Sequence, residues 1–398
     1  MERARTRPVL PIVVGFAGLL AVAAHSAPAP QPDPQPGSVT IAQFEQFLAS
    51  ASHSRDKNLA EKLAGFELTE RTTGARLVEW QKQFTGRRTR QVLAALADLS
   101  AFEPLPAADL PSGPPPNIET QRILFSRVVD YVVATRPRLP NFSALRSTMR
   151  FEIATPDEIR EEEQSAHLFR VRNEKVAYQA LGRVHPGPGG GSWLYFAASS
   201  SRLVTYRDGH EVSDSPADEE RRQPLPFRSQ LSTVGEFGPI LSVVVGDAVH
   251  GSVTWSHWEP GPDKPLAVFH YSVPENVSHY EVSTSPIEPP LYPAYHGEIA
   301  ADPNTGAIFR LTLMADENNT EISDSGIVVD YGPVAIAGKT YICPVRSIAL
   351  SRGPVNRNDR SVAIPDDMAQ TFLNDVTFTG YHVFRSEMRI LPDGAAGP

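Results

Sequence analysis

Cysteine is almost absent from this chain, because Cys343 is the single cysteine among its 398 residues. An internal disulfide framework is therefore excluded. Cys343 lies in the apolar alternation KTYICPV, a context typical of a buried and inert thiol. We therefore do not expect this cysteine to act as a catalytic nucleophile.

Basic charge is also scarce, since the formal net charge is −9 and the isoelectric point calculated from the sequence is near 5.7. A nucleic-acid partner is not expected, because neutralising phosphates requires a basic face. The local exceptions are GRRTR at residues 86–90 and the arginines between residues 136 and 150. We interpret both as solvated or interdomain faces rather than as binding patches.

Long hydrophobic runs are missing after the amino terminus. The first residues, MERARTRP, precede the apolar run VLPIVVGFAGLLAVAA, which predicts a signal peptide over residues 1–26 with cleavage before Ala27. A single-pass anchor is the alternative, but the run is shorter than the roughly 20 apolar residues of a bilayer span. Residues 27–37 predict a Pro-rich tether. The expected localisation is periplasmic or secreted, with no transmembrane segment after cleavage.

Recognisable catalytic motifs are lacking as well. The stretch SRDK has the Ser-x-x-Lys spacing of penicillin-interacting enzymes without that family's other motifs, and there is no G-x-S-x-G. GPVAIAGKT has five residues between Gly332 and Gly338, where a phosphate-binding loop has four. These absences lower the expectation of an enzyme without abolishing it, and they predict no cofactor.

The amino-terminal part of the chain predicts short amphipathic helices. In SVTIAQFEQFL, Thr40 and Gln43 form a capping box. The stretches DKNLAEKLAGF, GARLVEWQKQF and RQVLAALADLSAF repeat apolar side chains at helical spacing, with Gly86 as a predicted stop after GARLVEWQKQF. Asn117 is predicted to cap a last helix. Because short helices are marginal alone, they are expected to stack into a helical domain over residues 38–147.

After about residue 148 the apolar period changes to two, which predicts strands. The turn DPNTG joins YHGEIA to AIFRLTL as a hairpin, and LSTVGEFGPILSVVVGDAV is long enough to form a helix that covers one face of a sheet. The predicted fold class is α+β, with a small amino-terminal helical bundle. A large curved antiparallel β-sheet, half-barrel-like, follows over residues 148–398 with a covering helix.

Histidine and glutamate recur in this predicted sheet. His257 lies between two tryptophans in TWSHWE, and the pairs in SHYEV and YHGE have their members two residues apart. Together they predict a metal or acid/base site of a metal-assisted hydrolase if the strands converge. The bland interpretation, which we favour, is that alternation alone places them on the polar face of a sheet. The residues concerned are His257, His279, Glu281, His296 and Glu298.

Two stretches, GEIAADPNTGAIFRLTL and IVVDYGPVAIAGKTYICPVRS, resemble the bacterial lipoprotein-carrier half-barrel (LolA-like) superfamily. The resemblance covers mainly residues 250–390 and implies a curved antiparallel sheet with a helical lid around an apolar cavity for acyl chains. The chain as a whole resembles a group of secreted bacterial proteins through FELTER, LPNFSALRSTMRFE, TWSHWE, HYEV, YHGEI and YICPVRS. It differs from true carriers by its added helical domain and greater length.

The leading functional hypothesis is an exported, non-enzymatic binding protein that holds a lipid or acyl ligand in the curved sheet and docks an envelope protein. The candidate ligand-binding positions are apolar residues of the predicted strands, namely Trp255, Phe269, Tyr271, Phe309 and Leu311, with Ile308 and Leu313 also considered. The alternatives are the metal-assisted hydrolase and an envelope-assembly protein without a small ligand.

Overall fold

The structure is a computed structural model that describes residues 37–135, 138–154, 193–212, 231–283, 289–316, 323–354 and 369–383. The described residues all belong to one compact unit of the chain. The predicted signal peptide and all but the last residue of the predicted tether lie outside the described residues. So do HLFRVRNEKVAYQAL, for which alternation predicts a strand, and VHPGPGGGS, for which the glycines and prolines predict a loop.

Short helices form the amino-terminal region, as predicted. They are α1 (Ile41–Ser50), α2 (Asp56–Leu63), α3 (Gly74–Gln83), α4 (Arg87–Leu99) and the longer α5 (Ile118–Thr135). The strands β1 (Gly37–Val39) and β2 (Phe66–Leu68) pair in parallel among them. The capping box is confirmed, because the Gln43 amide donates to Thr40 Oγ1 and the Thr40 amide donates to Gln43 Oε1. Asn117 likewise accepts the Thr120 amide at the start of α5.

Gly86 does not follow the end of α3 as its C-terminal stop, so that prediction was wrong. The helix ends at Gln83, and Gly86 is instead the residue that precedes α4. A side chain at Gly86 would overlap the Asp56 carboxylate, which accepts hydrogen bonds from the Arg88 and Thr89 amides. Glycine at this position therefore lets α2 supply the cap of α4.

The remaining strands form one ten-stranded antiparallel sheet, which confirms the predicted fold class. Its spatial order is β5-β4-β3-β12-β11-β10-β9-β8-β7-β6, and the sheet is not closed. β3 crosses the predicted domain boundary between residues 147 and 148. The strands are β3 (Phe142–Ala154), β4 (Trp193–Arg207), β5 (His210–Val212), β6 (Ser252–Glu259), β7 (Leu266–Val273), β8 (Tyr295–Ala301), β9 (Ile308–Ala315), β10 (Ser323–Ile336), β11 (Lys339–Pro354) and β12 (Ala369–Val383).

Helices cover both faces of this sheet. On the outer face, α1–α4 pack against side chains of the central strands, including Phe151, Val328 and Leu373. On the inner face, α5 and the helix α6 (Pro239–His250) pack against β7–β10. Because strand side chains alternate between faces, Val328 faces α1–α4 while its neighbours Ile327 and Val329 face α5 and α6.

The hairpin between β8 and β9 is confirmed. Asp302 Oδ1 accepts the amides of Asn304 and Thr305, and Gly306 has a φ of 74°. The turn also touches α5, since a Cβ at Gly306 would lie 2.1 Å from the Arg127 carbonyl oxygen. Glycine is therefore required here both by backbone conformation and by the closeness of the helix.

The predicted covering helix is present as α6, but it begins only at Pro239. Residues 231–238, here called the strap, run irregularly across the inner face before α6, with positive φ angles at Gly235 and Gly238. The two glycines explain why the helix starts late. Within the described part of the chain, no helix is both long and apolar enough to cross a bilayer.

Candidate functional site

An apolar crevice lies on the inner face, where the end of α5 and the beginning of α6 meet the sheet. Its volume is about 20 Å³, enough for one water-sized group. The sheet contributes residues of β9, β10 and β11 to its wall. The lining residues are Tyr131, Val132, Thr135, Leu139, Phe237, Gly238, Leu241, Ser242, Ile308, Tyr331, Ile342, Cys343 and Pro344.

The polar atoms of the crevice are few and weakly acidic. Burial raises the pKa of the Cys343 thiol to about 12, so the side chain stays a neutral thiol at physiological pH. Burial, together with the Glu236 carboxylate, also raises the pKa of Tyr331 well above its usual range. The Tyr331 hydroxyl donates to the Glu236 carbonyl oxygen at 3.3 Å. The crevice is thus uncharged and suited to an apolar group.

The predicted ligand-binding positions lie mostly in the packed core and outside this crevice. Phe269, Tyr271 and Leu311 are 2 %, 0 % and 0 % exposed, whereas Trp255 and Phe309 are half-buried. Phe269 packs edge-on against Phe125 of α5 and against Trp255, so helix side chains occupy the space in front of it. Among all the positions considered, Ile308 lines the crevice.

The strap forms one wall of the crevice and carries a buried carboxylate. Glu236 is 0 % exposed, and its Oε1 accepts from Thr233 Oγ1 at 2.6 Å and lies 3.2 Å from Arg146 Nη2. The Ser347 hydroxyl of β11 also reaches Oε1, at 3.3 Å. Sequence reasoning missed this group, although VGEFGP shows a glutamate between two glycines inside an otherwise apolar stretch.

A second carboxylate, Glu211 of the edge strand β5, faces the same arginine. Its Oε1 lies 3.7 Å from Arg146 Nη1, and its Oε2 accepts the Gly235 amide at 3.0 Å. Burial and then the Glu236 charge raise the pKa of Glu211 to about 6, against the opposing effects of Gly235, Arg146 and Arg202. No sequence motif predicts this pair, because Glu211 and Glu236 are far apart in the sequence and only the folded structure brings β5 and the strap together.

The stretch TWSHWE contains a β-bulge that sorts its side chains between the two faces. The register of β6 against β7 shifts between Trp255 and His257. The rings of Trp255 and Trp258 therefore meet, 4.8 Å apart, on the side of α5. Ser256 Oγ lies 2.8 Å from His257 Nδ1 and donates to Glu298 Oε1 at 2.9 Å on the opposite side.

His257 also approaches Glu259, which pairs with the helical region. His257 Nε2 lies 3.8 Å from Glu259 Oε2, and Arg71 Nη2 lies 2.6 Å from Glu259 Oε1. Burial alone would raise the pKa of Glu259. The nearby His257 ring and the charges of Arg71 and Arg310 outweigh burial and lower that pKa to about 2. This carboxylate is thus held as a charged structural partner.

His279 and Glu281 do not lie on a strand, so the prediction of a strand in SHYEV was wrong. The described segment forms only an isolated bridge at Val282. The segment bonds to α6 instead. Asp247 Oδ2 accepts the His279 amide at 2.8 Å, and Asp247 Oδ1 lies 2.7 Å from His279 Nδ1. Asp247 also accepts from the buried Tyr295 hydroxyl. Glu281 accepts from Tyr292.

The histidines and glutamates are therefore divided between faces of the sheet. His296 and Glu298 share one side of β8, as predicted, and His296 Nδ1 lies 2.5 Å from Asp316 Oδ1. His279 bonds to α6 on the inner side, so it cannot join them. In the ranges described above, no three His, Cys, Asp or Glu side chains are grouped so that they could hold a metal ion.

Comparison with known proteins finds no similar protein. The chain matches no family model, no curated protein and no solved structure. The functional argument therefore depends on the geometry of the chain itself.

Proposed function

We propose that this chain is a non-enzymatic binding protein that holds a narrow apolar ligand, such as the acyl chain of a lipid, between the inner face of its sheet and helices α5 and α6. The observation that carries the proposal is the apolar crevice at the meeting point of these elements. Its walls come from the two helices, the strap and three strands, so a change in the position of one helix end widens it.

A ligand of this kind requires movement on binding. Ligand sites commonly enclose about 300–1,000 Å³, far more than the crevice offers. Each buried methylene contributes about 0.8 kcal/mol, so ten carbons contribute about 8 kcal/mol toward separating the packed elements. The half-barrel resemblance agrees with this proposal in its open antiparallel sheet. Export and an envelope partner stay predictions.

The direct test uses a fluorescent fatty acid and the single thiol of the chain. Cys343 lines the crevice and is only 2 % exposed, so N-ethylmaleimide reaches it only when the crevice opens. We therefore expect bound fatty acid to slow the modification of this thiol. Parinaric acid should bind saturably, and protection of Cys343 should follow the same concentration dependence. Binding that leaves the rate of Cys343 modification unchanged would place the ligand elsewhere and contradict the proposal.

A filled crevice provides the matched variant. Ser242→Phe places an aromatic ring in the crevice from α6, whereas Val249→Phe places the same ring on the exposed side of that helix, where Val249 is 55 % exposed. We expect Ser242→Phe to weaken parinaric acid binding at least tenfold and Val249→Phe to leave it unchanged, with circular dichroism confirming that both fold. Equal binding by both variants would contradict the proposed location.

The metal-assisted hydrolase receives no support from the described geometry. No three His, Cys, Asp or Glu side chains of the described residues are grouped so that they could hold a metal ion, and His279 lies on the other face from His296 and Glu298. The envelope-assembly alternative predicts no small ligand, so saturable fatty acid binding also distinguishes it from the present proposal.

A further inference from the structure

The strap is fastened to the sheet by polar contacts and by one buried aromatic side chain. Asn374 Nδ2 donates to the Leu231 carbonyl oxygen at 2.7 Å, and Arg146 Nη1 donates to the Thr233 carbonyl oxygen at 2.9 Å. Glu236 adds the contacts with Arg146 and Ser347. Phe237 is its buried apolar anchor, packed edge-on against Phe378. A segment fastened in this way responds to the charges beneath it.

Those charges are unbalanced. Glu211 and Glu236 both lie against Arg146, whose side chain is 4 % exposed, and Glu236 Oε2 has no hydrogen-bond partner among the described residues. The other titratable groups acting on this pair include Arg202 of β4, Tyr331 of β10 and Tyr381 of β12. Two buried carboxylates facing one arginine at close range repel each other, so one of them gains by taking up a proton.

The position of the strap connects these charges to the crevice. Phe237 and Gly238 line the crevice directly after Glu236, and Glu211 holds the Gly235 amide on the other side. Displacement of this short segment therefore removes one wall of the crevice. The same displacement separates Glu236 from Glu211.

We infer that the strap is a pH-sensitive gate of the crevice, held against the sheet when Glu211 carries a proton and released more readily when Glu211 is ionised. Ligand uptake and release are then faster at neutral than at acidic pH. This inference depends on the proposed function for its ligand, but the movement of the strap can be measured without one.

The sign follows from the raised pKa of Glu211. A carboxyl group with a pKa of about 6 under the strap and 4.5 when the strap is displaced binds its proton more tightly in the fastened arrangement. The opening equilibrium therefore increases as pH rises from 4.5 to above 6, by a factor of at most about 30. Below pH 4 and above pH 7 it should change little through this group.

The test is hydrogen–deuterium exchange of residues 231–240 in the mature chain between pH 4 and pH 8, with each rate divided by the intrinsic exchange rate at that pH. We expect protection to fall about 25-fold across the range. Glu211→Gln keeps an acceptor for the Gly235 amide and removes the titration, so its protection should be independent of pH. His210→Gln is the control, because it replaces the neighbouring exposed imidazole and leaves Glu211 unchanged.

Unchanged protection of the strap in the wild-type chain would overturn the gate, as would a pH dependence that persists in Glu211→Gln. Parinaric acid association rates over the same pH range separate the two proposals. If the strap loosens with pH but no fatty acid binds, the proposed function fails while the movement stands. If fatty acid binds with protection of Cys343 and the strap does not respond to pH, the gate fails alone.

Discussion

Two buried carboxylates of the sheet meet the same kind of partner and behave in opposite ways. Glu259 pairs with Arg71 of the helical region, and its pKa falls to about 2. Glu211 lies against Arg146 under the strap, and its pKa rises to about 6. Burial raises the pKa of both groups, so burial does not explain the difference.

The difference comes from how many charges share each arginine. Glu259 has Arg71 on one oxygen and His257 near the other, with Arg310 adding further positive charge. Arg146 is divided between Glu211 and Glu236. The arrangement at Glu259 joins the helical region to the sheet, whereas the one at Glu211 leaves the strap responsive to pH. A buried ion pair is therefore a fastener or a switch according to its local charge balance.

The largest effect is expected from removing the arginine of the balanced pair. Arg71→Leu leaves Glu259 charged and buried, and should lower the free energy of unfolding by about 3–5 kcal/mol. Urea denaturation measures this change. Arg122→Ala is the control, because its ion pair with Glu119 is 76 % exposed on both sides and should change stability by less than about 0.5 kcal/mol. A similar small change for Arg71→Leu would break the comparison.

The acid limb of the stability curve tests the carboxylate itself. Because Glu259 has a lowered pKa, its contribution is present above pH 4.5 and is lost as pH falls toward 2. That contribution is at most about 3 kcal/mol. Glu259→Gln should therefore lower stability at pH 7 and flatten the decline between pH 4.5 and 2, measured by urea denaturation at each pH. An unchanged slope would show that the pair does not control this transition.

A third prediction tests the inner face without titration. Gly306→Ala forces a side chain against the Arg127 carbonyl of α5, whereas Gly338→Ala meets open space at nearly the same φ, 78° against 74°. The second change should cost about 1 kcal/mol for the backbone alone. We expect Gly306→Ala to cost about 2 kcal/mol more in thermal or urea unfolding. Equal costs would mean that α5 yields easily at this turn.

The sequence predicted the elements that follow from local chemistry. The capping box at Thr40, the cap at Asn117 and the Asp302 turn each depend on a few adjacent residues, and all three are present. Alternation predicted the antiparallel sheet for the same reason. Gly86 was placed wrongly because its role depends on Asp56, which lies on another helix.

The candidate site is built from residues that are distant in the sequence, so local sequence patterns could not predict it. Arg146, Glu211 and Glu236 come from two strands and the strap, and only the sheet order brings them together. Apolar alternation gave Phe269, Tyr271 and Leu311 as candidates, yet α5 packs over that region and leaves the crevice at its far end. The SHYEV segment bonds to Asp247 of α6 and does not pair as a strand of the sheet.

The smallest expected effect comes from removing an uncharged contact of the strap, the hydroxyl of Ser347. Ser347→Ala removes the hydroxyl that reaches Glu236 Oε1, but Thr233 and Arg146 still contact that oxygen. The loss should be about 1 kcal/mol. Exchange of the strap amides should quicken at every pH, because a serine hydroxyl does not titrate in this range. Ser147→Ala, which removes an exposed hydroxyl pair with Ser201, should leave the strap unchanged. Suppose instead that Ser347→Ala changed how the exchange rate of the strap amides depends on pH, and not only the rate itself. The Ser347 hydroxyl would then take part in the titration of the carboxylates, and the charge balance around Arg146 alone would not set the pH dependence of the strap.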